Sequence, residues 1–445
     1  MKLKACGKAQ RLRAFLLFAP SREPIPTPPP VDLQPCQFKI AAMRMSATLI
    51  AAASALALAA PAYAKTIAVA AGDGAQARLQ EALILAEPGD VVQLGAGRFA
   101  LTDGLSLDVK GVTVRGAGMD ASVLDFTGQK GAGEGLLVTS DEVTLRDFAV
   151  ENTKGDGIKS KGADNVVYYR LRVTWTGGPK ESNGAYGIYP VASTNVLIDG
   201  CKVSGASDAG IYVGQSKAIT VRYNYVEQSV AGIEIENSRD ALVTGNLVTR
   251  NTGGILVFDL PNLPVMGGGN TLIENNLVVA NDTPNFAPKG NIVAGVPRGT
   301  GVMVMANDYV EIRHNTLVDN PTAQVLVVSY PKPFTDKTYN PDPRRIVIGP
   351  NGILGGGNEP QIPGGDQLAA AFGGALPGIV WDGVSKAWPF ASISGPVLSL
   401  DGAASAGGMK EAKPHMIKLA PVPPVLITGG HDRGAPAALD ARARP

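Results

Sequence analysis

Glu234 and Glu236 stand two residues apart in the run Ala231-Gly232-Ile233-Glu234-Ile235-Glu236. In an extended strand that spacing turns both side chains to one face, with their stems about 7 Å apart. Carboxylates so placed divide acid and base roles at a sugar linkage or hold a Ca²⁺ ion between them. Asp259, one repeat further on, completes a possible oxygen set for that ion. Lys159 and Lys161 show the same two-residue spacing in an earlier run. A cation there would neutralise a uronate carboxylate, and a lysine or a glutamate would take the proton from the sugar carbon. The catalytic candidates are therefore Glu234, Glu236, Lys159 and Lys161. Tyr189, Tyr212, Arg170, Arg172, Trp175 and Phe258 are candidates for holding substrate, because aromatic faces beside charges suit a sugar polymer.

These residues share a face only if the chain repeats, and it does. Ala209-Gly210-Ile211-Tyr212-Val213 is followed by Ala218-Ile219-Thr220-Val221 and Asn224-Tyr225-Val226; Ala231-Gly232-Ile233-Glu234-Ile235, Ala241-Leu242-Val243 and Asn246-Leu247-Val248 repeat the pattern 22 residues later. A glycine followed by an aliphatic residue marks each unit at Gly135, Gly157, Gly187, Gly210, Gly232, Gly254 and Gly301. Longer gaps fall at Thr174–Asn183, at 261–269 and at 284–297, segments rich in Gly, Pro and polar residues. Three short β-like runs per unit at a fixed period predict an all-β solenoid, a right-handed parallel β-helix of about 22 residues per coil.

Strand alternation sets the columns. Ile158, Ile188, Ile211, Ile233, Ile255 and Val302 point inward, and Lys159, Tyr189, Tyr212, Glu234, Leu256 and Met303 outward; Lys161, Val191, Gly214, Glu236, Phe258 and Met305 form a second outward column. The outward face is expected to meet water, with the Trp175 loop and the long insertion before Gly301 as walls. Its apolar end (Leu256, Phe258, Met303, Met305) is expected to suit a protein partner. Asn224, Asn246, Asn276 and Asn315 fall at one corner, where Asn tolerates left-handed backbone and stacked amides can bond along the axis.

The 445 residues carry a net charge of +1, which gives no electrostatic basis for nucleic-acid binding. From Met45 an apolar run reaches Ala60, too short for a membrane span, and Ala62-Tyr63-Ala64 offers a small-residue cleavage site. Residues 1–42 read as an upstream extension, 43–64 as a Sec-type signal peptide, 65–350 as the β-helix and 351–445 as a Gly/Pro-rich cap or loose tail. Export would place the protein in the periplasm or outside the cell, leaving Cys201 as a lone, buried, inert thiol. A helix is expected from Leu79, Ala82, Leu83 and Ala86, with Asp73 and Gln76 as a capping pair and the open end of the solenoid beneath it.

The opening Gln80-Glu81-Ala82 through Pro88-Gly89-Asp90-Val91-Val92 to Gly97-Arg98-Phe99, with the Gly-Ile and Asn-x-Val coils, resembles exported right-handed β-helix proteins. These include the pectate-lyase-like, mannuronan-epimerase-like and periplasmic copper-enzyme-maturation groups, and bacterial β-helix repeat proteins of unassigned function. The resemblance covers roughly residues 66–350. It implies a protein that binds an acidic polysaccharide and processes it by lyase- or epimerase-like chemistry; the alternative is a non-catalytic envelope scaffold or maturation factor. The Asp-Pro-His-Asp motif of the epimerases is missing here.

Overall fold

The structure, a computed structural model, describes residues 64–131, 133–402, 413–417 and 435–444. The expected extension and nearly all of the expected leader lie outside those residues. The coils build three sheets of 12, 10 and 12 strands, parallel except for His415–Ile417, which pairs antiparallel with Val397–Ser399 at the end of the third. The first sheet holds Thr66–Val69 and Lys217–Arg222, the second Gly97–Ala100 and Tyr225–Glu227, the third Leu105–Leu107 and Ala209–Gly214. Coil stacks on coil with the expected register: Ala209↔Ala231, Ile211↔Ile233 and Tyr225↔Leu247. Ile188, Ile211, Ile233, Ile255 and Val302 all fill the interior at 0% exposure. Each such aliphatic side chain contributes about 1.5–3 kcal/mol relative to an exposed one.

The marker glycines answer to space. A Cβ on Gly210 would sit 2.5 Å from Val226 Cγ1 of the second sheet, and one on Gly232 2.5 Å from Val248 Cγ1. A side chain there would force the sheets apart.

Polar ladders run along the corners. The Asn224 amide Nδ2 donates to Asn246 Oδ1 at 2.9 Å, Asn246 to Asn276 at 2.9 Å, Asn276 to Asn315 at 2.9 Å and Asn315 to Asn351 at 3.0 Å. A second ladder, not foreseen, runs through Asn251, Asn281 and Asn320. The left-handed residues at the first corner are Tyr223, Gly245, Asn275 and His314, each one position before the ladder Asn. The ladder residues are there to satisfy buried backbone donors, and the turn conformation belongs to their neighbours.

Helix α1 (Ala75–Leu85) buries Ala75, Leu79, Ala82 and Leu83 against the first coils. Its N-cap is Gly74 in left-handed conformation, with no side-chain cap. Gln76 does not join Asp73 in a capping box; its Oε1 accepts from the backbone N–H groups of Thr102 and Asp103. Cys201 is buried, and its thiol is pushed up to about 12 by burial.

The β-helix runs past residue 350. Gly352–Leu354, Ile379–Trp381, Phe390–Ile393 and Val397–Ser399 continue the three sheets, and helix α2 (Gly365–Ala371) lies between them. The Gly/Pro-rich turns hide short strands whose pairing comes from the coil below. Helix α3 (Ala437–Ala443) returns to the first sheet, where Leu439 and Ala443 pack with Val167 and Leu197. Among the described residues no helix is long and apolar enough to cross a membrane.

Candidate functional site

The third sheet carries both predicted columns. Lys159 pairs with Tyr189, Tyr212 with Glu234, Glu234 with Leu256 and Leu256 with Met303. In the second column Lys161 pairs with Val191, Val191 with Gly214, Gly214 with Glu236, Glu236 with Phe258 and Phe258 with Met305.

Most of this face does not meet water. Leu260, Phe286, Ile292, Val293, Tyr330 and Tyr339 belong to segments that fold back over it and build a second apolar core outside the solenoid. Leu256 and Phe258 are 0% exposed, Met305 2% and Met303 6%, so the apolar end is covered by the chain itself and is not an open surface for a protein partner. A cavity of about 210 Å³ remains there, lined by Phe258, Met303, Met305, Leu326 and Val328 among others.

Glu234 lies where the covered and open parts meet. It is 0% exposed, and neither carboxyl oxygen has a hydrogen-bond partner. Burial, then the nearby Asp208 and Glu236, holds its pKa well above the ordinary carboxylate range. Glu236, also buried, accepts from the Tyr212 hydroxyl at 2.6 Å. Burial outweighs that bond, and its pKa is raised to about 7. Asp208, at the turn into the strand Ala209–Gly214, accepts from Asn291 Nδ2 at 3.0 Å and is raised to about 7 by burial and then by Glu236. Sequence reasoning missed Asp208. Its signal was an acid immediately before a strand in the most regular repeat, where the next two coils have Val230 and Thr252.

Tyrosines roof the acids on the more open side. The rings of Tyr186, Tyr189 and Tyr212 lie 4.4–4.9 Å apart, centroid to centroid. The Tyr212 ring fills the space of the side chain that Gly214 lacks: a Cβ there would stand 2.4 Å from the ring and 2.7 Å from its hydroxyl. Gly214 thus lets Tyr212 reach Glu236. Lys159 Nζ sits 4.7 Å from the Tyr189 ring centre and pairs with Glu134 at 2.9 Å and Asp156 at 3.2 Å. Burial disfavours its charge, but the two carboxylates outweigh that and raise its pKa. Lys161 is exposed at the edge.

Other candidates stand elsewhere. Arg172 belongs to the second sheet, bound to Asp120 and Glu151; Arg170, at the corner before it, pairs with Asp147. Their strand follows a different side of the coil, so neither faces the carboxyl cluster. Trp175 turns into the solenoid core and donates from Nε1 to Thr153 O at 2.7 Å; it neither holds ligand nor walls the groove. Asp259 accepts from the backbone N–H groups of Gly267 and Gly268 and so fastens a covering loop. Among the described residues no three carboxylate, histidine or cysteine side chains converge closely enough to hold a metal ion. Of the three carboxylates expected to hold Ca²⁺, Asp259 is engaged by its loop.

The coils match the family model described as "Right handed beta helix region" over residues 110–263 and 180–335, half of the chain. The chain belongs to the right-handed β-helix family. This β-helix protein is 26% identical over 299 residues to the pre-neck appendage protein of Bacillus phage phi29, a match spanning 58% of this chain and 35% of that protein. The chain thus spans about a third of the length of the curated relatives it matches. Among solved structures it is similar to a mannuronan C-5 epimerase A-module of Azotobacter vinelandii (17% identity, 65% of this chain and 89% of that one, TM-score 0.42). It is also similar to an alginate lyase of Paenibacillus sp. (18% identity, 67% and 98%, TM-score 0.44).

Proposed function

We propose that this β-helix protein is exported and binds a polysaccharide along the open end of the third-sheet face, with Glu236, Glu234 and Asp208 performing acid–base chemistry on its linkages. One observation carries the reading: Glu234 is fully buried with both carboxyl oxygens unpartnered, between two further buried acids. An unpartnered buried carboxyl costs free energy, and such costs concentrate where acid–base work is done. Carboxyls that keep their protons to about neutral pH are poised to donate to a glycosidic oxygen, and a neighbour that has lost its proton accepts one from water or from a sugar carbon. Tyr189 and Tyr186, half-buried on the open side, present aromatic surface to a sugar ring. Asp208 and Glu236 each keep 5% exposure, the point of contact with the polymer.

The test is incubation of the mature chain with neutral and uronate polysaccharides, following new reducing ends and unsaturated products. Turnover should fall roughly a hundredfold or more in Glu236→Gln. Failure of every polysaccharide to bind or react would overturn the reading.

A further inference from the structure

A second cluster stands at the corner between the third and first sheets. Lys217, Arg239, Gly269 and Asp308 each open a first-sheet strand, and they stack in register as successive rungs, with Arg344 bridged to Asp308. Lys217 and Arg239 are adjacent rungs, about 4.8 Å apart along the axis. Like charges directly opposite each other on neighbouring strands are destabilising. Both are exposed, and among the described residues neither has a carboxylate within ion-pair distance. At this corner lies a cleft of about 350 Å³ lined by Lys217, Arg239, Arg344, Arg345 and Tyr309, with Gly269 as the next rung. Among the described residues its carboxylates are Asp240 and Asp308. Asp308 is taken in two-pronged fashion by Arg345, at 2.8 and 2.6 Å, and by Arg344 at 3.2 Å. Among the described residues, four cations stand against two carboxylates.

The floor is closely packed glycine. A Cβ on Gly267 would meet Arg239 Nη2 at 2.7 Å, one on Gly268 the Asn307 amide at 2.6 Å, and one on Gly269 the Asp308 carbonyl at 2.8 Å. The same glycine run gives Asp259 its two backbone donors. Asp259 acts electrostatically on Glu236 and in turn feels Arg344 and Arg239. The cleft and the carboxyl cluster are thus the two sides of one loop.

The geometry points to this cleft as the subsite for an oxyanion borne by a glycan, the carboxylate of a uronate or a sulfate ester, held chiefly by Lys217 and Arg239. Guanidinium and ammonium groups around such a cleft give charge-assisted hydrogen bonds to such a group. Of the cations expected to meet substrate, Arg170 and Arg172 lie away from the face, Lys159 is already paired, and Lys161 stands alone at the exposed edge. The inference rests on the polysaccharide reading for the polymer that bears the anion; the cleft stands on its own residues.

Calorimetric titration of the mature chain with an oligogalacturonate, a sulfated oligosaccharide and a neutral oligosaccharide tests it. The double variant Lys217→Gln/Arg239→Gln is compared with Lys202→Gln, an exposed lysine of the second sheet, after melting curves confirm that both fold. Anionic oligosaccharide should bind in preference to neutral, and the double variant should weaken that binding roughly tenfold or more, the scale of one lost charge-assisted hydrogen bond. The arm that responds, carboxylated or sulfated, identifies the anion. Equal binding of anionic and neutral sugars overturns the inference, as does a double variant that binds like Lys202→Gln. Turnover without anion preference would remove the cleft and leave the acid–base reading standing; anion binding without turnover would do the reverse.

Discussion

Glu236 shows what the site demands of single residues. Asp208 and Glu236 rise from 3.8 and 4.5 to about 7 on folding, mainly through burial. Below pH 4 both states hold the protons and the cluster carries no penalty. Between about 4 and 7 only the unfolded chain releases them, so stability falls as pH rises; above about 7 the loss from these two groups levels off, and Glu234, also raised by burial, adds a fall of its own. The melting temperature should therefore drop from pH 4 to pH 8, and Glu236→Gln should remove part of the drop. The variant should match the wild type at pH 4 and melt a few degrees higher at pH 8; an equal drop in both would count against the assignment. Alternation alone put Glu234, Glu236 and Tyr212 on one face, because a period of two needs no tertiary knowledge. Their burial was not legible. It comes from segments such as 284–297, whose Pro/Gly-rich sequence has no period from which to read a docking partner, and the same gap hid the covering of Phe258 and Met303.

Among elements, the coil repeats were the easiest to read, since each marker glycine and each corner Asn recurs for a stacking reason. Asn246 illustrates it. Its Oδ1 accepts from the Asn224 N–H and Nδ2, and its Nδ2 donates to Asn276 Oδ1 and Val221 O. Replacing it by Ala strands buried partners on both sides, at a cost of about 2–4 kcal/mol for one or two unsatisfied groups. Denaturant unfolding of Asn246→Ala should show that loss, with a smaller one for Asn351→Ala at the half-buried end of the ladder. Equal losses would mean that the ladder's continuity adds nothing. The helix cap was misread at this scale, because Asp73 and Gln76 have capping spacing while the turn already had a glycine and the Thr102 backbone offered Gln76 better partners.

At the scale of the molecule, the β-helix expected to end at residue 350 runs about fifty residues further. The late strands are three or four residues long and separated by Gly and Pro, so no window holds enough of a period to reveal them. They do two jobs. Ile379–Trp381 pairs with Val325–Val327 and closes an otherwise open strand edge. Leu368, Ala369, Leu376, Val380, Leu398 and Leu400 complete the second core over the third-sheet face. A chain ending at residue 350 should lose both and aggregate. A chain ending at residue 402 keeps the coils but loses the edge strand His415–Ile417 and helix α3, with its Leu439 and Ala443 contacts, its Asp440 pair to Arg222 and the Arg444–Asp199 pair at 3.0 Å. Asp199 stays bonded to Arg222 at 2.8 Å, so no buried charge is abandoned. That chain should remain soluble and monodisperse by size-exclusion chromatography, with melting lowered by only a few degrees, since few small apolar groups are uncovered. Aggregation of both truncations would assign the closing role to the strand His415–Ile417 or to α3, and solubility of both would remove it from the late coils.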